Sequence, residues 1–459
     1  MSVLFESRYD GATGDVADTT TKIVLIGAGS AMFTQGLVAD MLHSPDLGPW
    51  QLGLVDIDLE ALATAEGLCR RMIAASGAEI AIEASLDRRD VLPGADVVVT
   101  TIGVGKRRAW EADVFIPRKY GIYQPVGDTV MPGGISRAMR MIPALVDIAR
   151  DVADVCPDAK FFNYSNPMTA NCHAIRKATG VPVVGLCHGT FDVSRQLARF
   201  VGAPPEESST LFAGLNHLTF IFDLRWQGRD MWPVAREKLA AEPDAGSRDD
   251  FAAHNPFSWS FFETYGAYPS ANDRHVTEFF PERFPGGAYY GKTLGVDVYS
   301  FEGTIAHGDQ VYADMQAQAL GAKPLDERIF HRTVGEHEQL LSILRALRND
   351  SREIFAVNVP NRGAVPNLPD EAILEIPAVA TATGLRTMSI PDFSDALAAI
   401  ISRKLAAVEL TVEAALRGDR NLFVEALLVD GAVIDPDVAR EMADKLLEAQ
   451  KAYLPHFFA

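Results

Sequence analysis

The sequence predicts an α/β protein in which a Rossmann-type, doubly wound parallel sheet is followed by an α+β region. Short, uninterrupted apolar runs recur between residues 22 and 185, as in strands buried on both faces of a parallel sheet, and helical patterns separate them. A glycine-rich turn follows the first run. We therefore expect a Rossmann domain over 22–200, an α+β domain over 201–459 and a flexible tail over 1–21.

Each element follows from its local pattern. Continuous apolar runs predict the strands of the first domain, which we place at 22–27, 51–56, 96–101, 160–164 and 181–185. Apolar residues at helical spacing predict helices through Leu42, over 59–76 and over 135–155. In the second domain we expect a strand at 218–225, a loop-rich region over 229–300, and long helices over 325–350, 394–418 and 436–453.

Composition and charge exclude some classes of function. The chain has 459 residues and a formal net charge of −19, from 61 acidic and 42 basic side chains, so it is a poor candidate for binding nucleic acid or an anionic membrane. It has no apolar run of about 18 residues that would predict a membrane span. The charged start of the chain lacks the apolar core of a signal peptide, and the four cysteines are widely spaced. We expect a cytoplasmic protein.

The first two predicted strands carry a candidate dinucleotide site. Gly27-Ala28-Gly29-Ser30 lies between a strand and a helix, although Met32 occupies the place of the third glycine in the G-x-G-x-x-G pattern. The first two glycines allow backbone N–H groups to approach a pyrophosphate. Asp56 ends the next strand, where a carboxylate binds ribose hydroxyls and favours NAD, and Asp58 is the second candidate. The predicted cofactor residues are Gly27, Gly29, Ser30, Met32, Asp56 and Thr101.

Two short motifs, Cys187-His188 and Asn216-His217, predict a metal site. A lone cysteine or histidine is usually a packing residue, but here one predicted loop carries a thiol and an imidazole, and a second predicted loop carries another imidazole. Thiolate and imidazole suit Mn, Fe, Co or Zn better than they suit Mg or Ca.

Several longer motifs occur together in the order of one enzyme family. They are IGAGSAMF, GDTVMPGGISRAMR, NYSNPM, VGLCHG, GLNH, RHVTEFFP and, near the C-terminus, VPNLPDEAILEIP. With them the chain resembles glycoside hydrolase family 4, the NAD-dependent glycosidases, or a sister family such as the NAD-dependent sulfoquinovosidases. The resemblance implies bound NAD, a catalytic divalent metal (commonly Mn) and a small-molecule glycoside substrate. It also implies a homodimer or homotetramer, with substrate binding and dimerisation in the second domain.

The resemblance also gives roles to individual residues. Cys187 and His217 match the family's metal ligands, and Asn166 matches the sugar-contacting Asn of its N-x-x-N-P-M loop. Arg137 and Arg140 match the two arginines that follow the Gly-Gly pair, and we expect them to bind substrate. The Cys-His-Gly sequence at 187–189 resembles the α-glucuronidase type, whereas the Cys-Asp and Cys-Asn forms of the phospho-sugar enzymes are absent.

The mechanism that the resemblance implies is redox-assisted elimination. NAD takes hydride from C3 of the sugar, a base removes the C2 proton, the C1–O bond breaks, water adds, and NADH returns the hydride. Phe279 stands where a tyrosine base is common, so we expect Asp273 to act as the base, with Tyr268 and His275 behind it. His188 is expected to be either the leaving-group acid or a positioning hydrogen-bond donor.

Cationic side chains near the predicted cleft indicate an anionic sugar. Lys106 and Arg107 follow the third strand, where the edge of a doubly wound sheet meets its ligands, and Arg137, Arg140 and Arg274 are further candidates. Arginine pairs well with carboxylate or sulfonate. We expect an α-glycoside with an anion at C6, either a hexuronide or a sulfoquinovoside, and a neutral α-glucoside or α-galactoside is the alternative. The same cations could instead contact the NAD pyrophosphate or surface acids.

Two functions of other classes compete with this interpretation. A lactate- or malate-type 2-hydroxy-acid dehydrogenase would share the Rossmann start and a loop like Ser165-Asn166-Pro167, but it would need no metal. A non-catalytic NAD sensor would not need Cys187, His217 and Asn166 together.

Overall fold

The structure is a computed structural model that describes residues 3–4, 20–30, 33–241, 250–331 and 339–458. Of the predicted tail over 1–21, residues 3–4 form a short strand and Thr21 begins the next one, while 1–2 and 5–19 lie outside the described residues.

A single mixed sheet organises the described chain. The strands of the described chain are β1 (Val3–Leu4), β2 (Thr21–Ile26), β3 (Trp50–Val55), β4 (Ile80–Ser85), β5 (Val97–Thr100), β6 (Lys160–Asn163), β7 (Val183–Gly185), β8 (Ser208–Leu215), β9 (Leu218–Trp226), β10 (Arg229–Asp230), β11 (Tyr268–Pro269), β12 (Ala288–Tyr289), β13 (Lys292–Thr293), β14 (Ile354–Pro360), β15 (Ile373–Thr381) and β16 (Gly384–Thr387). β12 and β13 form a separate hairpin, and the other strands belong to the sheet. The order along the sheet is β10-β9-β8-β15-β14-β7-β6-β5-β2-β3-β4. The strands from β4 to β7 pair in parallel, and those from β14 to β10 pair antiparallel.

Helices cover this sheet and form a second apolar cluster at the C-terminal end of the chain. They are α1 (Phe33–Leu42), α2 (Leu59–Ser76), α3 (Arg88–Val91), α4 (Lys106–Arg118), α5 (Met131–Val155), α6 (Met168–Thr179), α7 (Gly189–Phe200), α8 (Trp232–Ala241), α9 (Asp250–His254), α10 (Pro256–Tyr265), α11 (Asn272–Val276), α12 (Phe301–Ala319), α13 (Leu340–Asn349), α14 (Asp395–Arg417), α15 (Arg420–Asp430) and α16 (Pro436–Ala449). Within the described ranges, no helix is both long and apolar enough to cross a membrane.

The predicted fold class is confirmed, because the parallel strands and their helices have the Rossmann arrangement and a region of helices and antiparallel strands follows. The five predicted strands of the first domain are present, and the helix over 59–76 is confirmed. The long helix predicted over 325–350 was wrong: residues 327–331 form a 3-10 turn, the helix α13 covers 340–349, and 332–338 lie outside the described residues. The division of the chain near residue 200 stays a prediction, since the antiparallel strands extend the same sheet.

Candidate active site

Three buried or half-buried side chains from separate parts of the chain meet beside the ends of the central strands. A carboxylate oxygen of Asp128 and one ring nitrogen each from His217 and His275 all lie within 4.8 Å of one another. The two imidazole rings are 4.1 Å apart between centroids. We call Asp128, His217 and His275 the donor cluster. Carboxylate oxygen and imidazole nitrogen are ligands for divalent transition metals, so this donor set fits the predicted metal.

The hairpin between β8 and β9 positions His217. Its two-residue turn consists of Asn216 and His217, and His217 has a φ of +66°, in the left-handed region that non-glycine residues rarely adopt. The strands approach so closely here that a Cβ added at Gly214 would lie 2.2 Å from the Leu218 carbonyl oxygen. Such backbone strain is concentrated at functional sites, where the surrounding structure maintains it.

A hydroxyl between Asp128 and His217 determines which imidazole nitrogen can bind a metal. Thr129 Oγ1 lies 2.7 Å from Asp128 Oδ1 and 2.8 Å from His217 Nδ1. The carboxylate can only accept, so the hydroxyl donates to Asp128 and accepts from Nδ1–H of His217. Burial lowers the pKa of His217, which favours this neutral tautomer. The remaining nitrogen, Nε2, keeps its lone pair for a ligand.

Electrostatics keeps Asp128 ionised although it is largely buried. Burial alone would raise its pKa, but the charges that His217 and His275 carry when protonated, the charge of Arg137 and the Thr129 hydroxyl outweigh that effect and lower it. Burial lowers the pKa of His275 well below its ordinary value, so this ring is also neutral. The cluster therefore offers one carboxylate and two neutral imidazoles.

Asn166 and Arg137, both predicted to bind substrate, lie at the edge of the donor cluster. Asn166 Nδ2 donates to Asp128 Oδ2 over 2.9 Å, and its Oδ1 is buried without a hydrogen-bond partner among the described residues. Arg137 Nε donates to the Asn166 carbonyl oxygen over 3.0 Å, and its guanidinium lies over the Trp110 ring. Within the described part of the chain, its terminal nitrogens meet no carboxylate at ion-pair distance. An orphaned acceptor and an unpaired cation are what a bound polar ligand would satisfy.

Cys187 and His188 follow β7 and do not join the cluster. The backbone N–H of Gly189 donates to Cys187 Sγ over 3.5 Å, and a positive charge on His188 would lower the pKa of both cluster histidines. Cys187 is not among the residues whose donor atoms meet in the cluster. Its predicted role as a metal ligand stays a prediction. The His188 side chain is 58% exposed, with Nε2 4.0 Å from Asp192 Oδ2, so it is accessible to a substrate.

The structure contradicts the prediction that Asp273 is the catalytic base. Its side chain is fully buried and accepts hydrogen bonds from the backbone N–H groups of Phe257 and Ser258, from the Ser258 hydroxyl and from Tyr289. Asp273 thus satisfies the N-terminus of α10. Tyr268, which stood behind it as a candidate, is fully buried too. Of the residues considered as the catalytic base, only His275 lies in the donor cluster. There its position fits a metal ligand better than a base that removes the C2 proton.

Three of the predicted substrate cations are engaged by acids elsewhere. Lys106 Nζ lies 2.6 Å from Asp58 Oδ2. Arg107 forms an ion pair with Asp309 on α12.

Arg140 is the third of them. It is fully buried, pairs with Asp113, and donates to the Val104 carbonyl oxygen over 2.8 Å. Its prediction as a substrate ligand was wrong, because no charge of this side chain reaches solvent.

The glycine-rich turn has the tight geometry that a pyrophosphate site requires. Gly27 has a φ of +94°, and its carbonyl oxygen accepts from the Thr101 hydroxyl over 3.0 Å. A Cβ added at Gly29 would lie 2.6 Å from the Ala61 Cβ and 2.8 Å from Asp56 Oδ2. The Gly29 N–H donates to that same oxygen over 2.9 Å. The turn is therefore a tight glycine cradle with no room for a Cβ at position 29, which fits the close backbone approach that the pyrophosphate of NAD requires.

Ser30 and Met32 complete the predicted cofactor residues. Ser30 N–H donates to the Gly27 carbonyl oxygen over 3.0 Å, which closes the turn. Met32 lies outside the described residues, so its predicted cofactor contact stays a prediction.

Sequence reasoning missed Asp128, Thr129 and the carboxyls that support the cluster. Asp128 and Thr129 stand in the quoted motif GDTVMPGG, which was the available signal. Glu278 accepts from the backbone N–H groups of Val126 and Gly127 over 2.7 and 2.8 Å and so holds the loop before Asp128.

Comparisons with known proteins identify the family of this chain. The family 4 glycosyl hydrolase model matches residues 22–203, and the model of the C-terminal domain of that family matches residues 212–433. The chain is 32% identical to an α-galactosidase of Rhizobium meliloti, covering 95% of this chain and 89% of that protein. It is 31% identical to an α-glucosidase of Erwinia rhapontici (95% and 99% covered) and 30% identical to an α-galacturonidase of Bacillus subtilis (93% and 97% covered).

Solved structures agree with the fold. A putative glucosidase of Bacillus subtilis superposes with a TM-score of 0.80 at 27% identity, covering 93% of this chain and 100% of that one. A 6-phospho-α-glucosidase from gut microorganisms, solved in complex with NAD and Mn²⁺, gives a TM-score of 0.81 at 19% identity, with 95% and 99% covered. The predicted family is confirmed and the alternative of a 2-hydroxy-acid dehydrogenase is not supported: this chain belongs to glycosyl hydrolase family 4.

Proposed function

We propose that this protein hydrolyses α-glycosides with the help of bound NAD and a divalent metal, most simply Mn²⁺, and that its sugar carries an anion at C6. The observation that carries the proposal is the donor cluster of Asp128, His217 and His275 with Asn166 and Arg137 at its edge. The relatives named above include α-galactosidase, α-glucosidase and α-galacturonidase, which supports the α-glycoside class.

The chain's own residues suggest how the groups would be held. When bound, NAD supplies a hydride acceptor and the metal supplies a Lewis acid that stabilises negative charge on sugar oxygens. The glycine cradle at Gly27 and Gly29 would receive the pyrophosphate, and the donor cluster would hold the metal. Asn166 Oδ1, which has no partner among the described residues, would accept from a sugar hydroxyl.

We propose that His188 is the general acid that protonates the leaving group. Its imidazole is exposed and lies beside the cluster, so it can donate a proton to the glycosidic oxygen as the C1–O bond breaks. Asp192, one helical turn further on, would stabilise the protonated ring. His188→Gln should therefore slow substrates with poor leaving groups more than activated nitrophenyl glycosides.

The anionic C6 group now depends on Arg137, since Lys106, Arg107 and Arg140 have acidic partners. A guanidinium without a carboxylate partner in the protein can bind a carboxylate or sulfonate of a ligand through two parallel hydrogen bonds, that is, in a bidentate manner. A hexuronide and a sulfoquinovoside present the same chemistry here. A neutral α-galactoside is the second candidate, because a relative of 32% identity is named an α-galactosidase.

A substrate panel tests this function. Nitrophenyl α-glucuronide, α-galacturonide, α-sulfoquinovoside, α-glucoside and α-galactoside are assayed with and without NAD, Mn²⁺ and a thiol reductant. We expect cleavage of an anionic member, dependent on both cofactors, without net NADH. Turnover in D₂O should place deuterium at C2 of the product. Cleavage without NAD, or a product without deuterium at C2, would refute the redox route.

Arg137→Met separates the two substrate classes. It should raise KM for an anionic glycoside and leave a neutral one unaffected. An equal rise in KM for both substrates would refute the role of Arg137 in binding the anion.

The homodimer or homotetramer also stays a prediction, which light scattering of the purified protein tests.

A further inference from the structure

A row of four paired residues crosses the sheet next to the loops that carry Cys187 and His217. Gly185 at the end of β7 pairs with Asn358 of β14, Asn358 pairs with Glu375 of β15, and Glu375 pairs with Gly214 of β8. Gly185 is two residues before Cys187, and Gly214 is three residues before His217. The two central positions of the row, between the two loops, are therefore occupied by an asparagine and a glutamate.

Glu375 is only 1% exposed, and hydroxyl groups converge on its carboxyl. Its Oε2 accepts from the Thr190 hydroxyl over 3.1 Å and from the Thr219 hydroxyl. The Thr219 oxygen also lies 2.9 Å from the Leu215 carbonyl oxygen, but its single proton goes to Glu375, the nearer acceptor. Thr219 follows the His217 turn on β9, and Thr190 is in the first turn of α7, directly after the Cys187-His188 loop. One carboxyl oxygen thus ties together the two loops in which the sequence predicted the metal site.

A further hydrogen bond extends this connection to the third donor. Thr190 Oγ1 lies 2.8 Å from Ser270 Oγ. A threonine hydroxyl has one proton, so Thr190 donates to Glu375 and accepts from Ser270. Ser270 follows β11 and precedes the short helix α11 that carries His275. Glu375 therefore connects the segments of His188, His217 and His275, although it lies below them.

A buried carboxyl at this place carries an energetic cost that the fold does not require. Burial raises the pKa of Glu375 to about 7, against the hydrogen bonds that lower it. A well-packed apolar side chain would avoid that cost. The hydrogen bonds, which an apolar residue could not make, are what the glutamate provides.

We propose that Glu375 is a positioning residue, which fixes the spacing of the Cys187-His188 loop, the His217 turn and α11 and so maintains the affinity of the site for its metal. This inference rests on the proposed function, in which those segments hold a divalent ion. In this role Glu375 does not touch the substrate; it acts through the hydroxyls of Thr190 and Thr219. Outer partners of metal ligands typically change metal affinity by about 10- to 100-fold.

The test compares Glu375→Ala with the conservative Glu375→Gln. The amide oxygen of glutamine can accept from both hydroxyls, and its NH₂ would face Asn358. The Oδ1 of Asn358 is buried without a partner among the described residues, so a flip of this amide would provide the acceptor. Glu375→Gln should therefore retain the network, whereas Glu375→Ala removes it.

Asp430→Asn is the matched control. It breaks the buried Lys404–Asp430 ion pair between α14 and α15, where the atoms are 3.1 Å apart and which takes no part in the site. It should therefore lower thermal stability without loosening the site.

Metal binding is measured on the full-length protein by Mn²⁺ EPR titration, alongside NAD binding by calorimetry and thermal unfolding. We expect Glu375→Ala to raise the Kd for Mn²⁺ about tenfold or more. We expect it to leave the Kd for NAD unchanged. Glu375→Gln and Asp430→Asn should keep the wild-type Kd for Mn²⁺.

Three results would overturn the proposal. They are a wild-type Kd for Mn²⁺ in Glu375→Ala, a Glu375→Gln variant as impaired as the alanine variant, and an equal loss in Asp430→Asn. If the wild-type protein itself binds no Mn²⁺, the proposed function fails, and the positioning role fails with it. Wild-type binding with an unaffected alanine variant refutes the positioning role alone.

Discussion

Removing the Thr129 hydroxyl tests how the donor cluster is organised. Thr129→Val replaces the hydroxyl by a methyl group of nearly the same shape. The bond of 2.7 Å to Asp128 and that of 2.8 Å to His217 are then both lost. His217 keeps a buried Nδ1–H without its acceptor, and the ring can turn or change tautomer, which would remove Nε2 from the metal.

The expected magnitude follows from the charge on Asp128. A hydrogen bond to a charged group contributes about 1.5–3 kcal/mol. Each 1.4 kcal/mol corresponds to about tenfold in an equilibrium constant. We expect the Kd for Mn²⁺ to rise roughly 10- to 100-fold, in line with the effect of outer partners in metal sites. Thermal stability should fall as well, because a buried N–H loses its acceptor, but the preserved side-chain volume avoids the further cost of a cavity.

Mn²⁺ titration followed by EPR measures this directly, and Thr129→Ser is the control because it restores the hydroxyl. The serine variant should lie close to the wild type. If the valine variant binds Mn²⁺ as tightly as the wild type, then Thr129 does not set the tautomer of His217, and the assignment of Nε2 as the ligand atom fails. If serine and valine are equally impaired, packing rather than the hydroxyl is responsible.

Three further predictions concern the cofactor turn, the corrected base and a buried carboxyl. Gly29→Ala should abolish NAD binding in calorimetry, because the added Cβ would lie 2.6 Å from that of Ala61, and unaltered affinity would exclude this turn as the cradle. Asp273→Asn should lower the melting temperature but leave kcat of the folded protein nearly unchanged, and a large drop in kcat alone would restore Asp273 as the base. Burial raises the pKa of Glu278 to about 8 from 4.5, so the folded state binds the extra proton and stability should fall as pH rises through this window. Glu278→Gln should flatten that slope in urea unfolding at pH 5 and pH 8, and an unchanged slope would show that Glu278 does not titrate there.

Most of the parallel half of the fold could be predicted because its inner strands are continuous apolar runs, whereas the edge strand β4, which is only half-buried, was not predicted. Asp58 caps α2 by accepting from two backbone N–H groups, and this helix was predicted at its observed limits. The strands β14 and β15 were missed. They are interrupted by polar and proline residues such as Asn358, Glu375 and Pro377, which read as loop until the sheet pairs them.

The site was only partly predictable for a different reason. Cys187, His217 and Asn166 stand in short motifs, whereas the contact of Asp128 with His275 depends on how a loop after α4 meets α11. The predicted substrate cations were wrong for the same reason. The sequence shows Arg107 and Arg140 as cations near a strand end, but it cannot show that Asp309 and Asp113 come to lie against them.

The donor cluster draws its residues from both the parallel and the antiparallel part of the one sheet. Asp128 comes from the part of the chain that precedes β6, while His217 and His275 come from the part that follows β7. A metal held by all three keeps its position relative to the nucleotide turn only if both parts are built on one rigid frame. The pairing of β7 with β14, and of β15 with β8, provides that frame through backbone hydrogen bonds. In this arrangement strand register sets the spacing between the nucleotide turn and the donor cluster, which a one-residue slip would destroy.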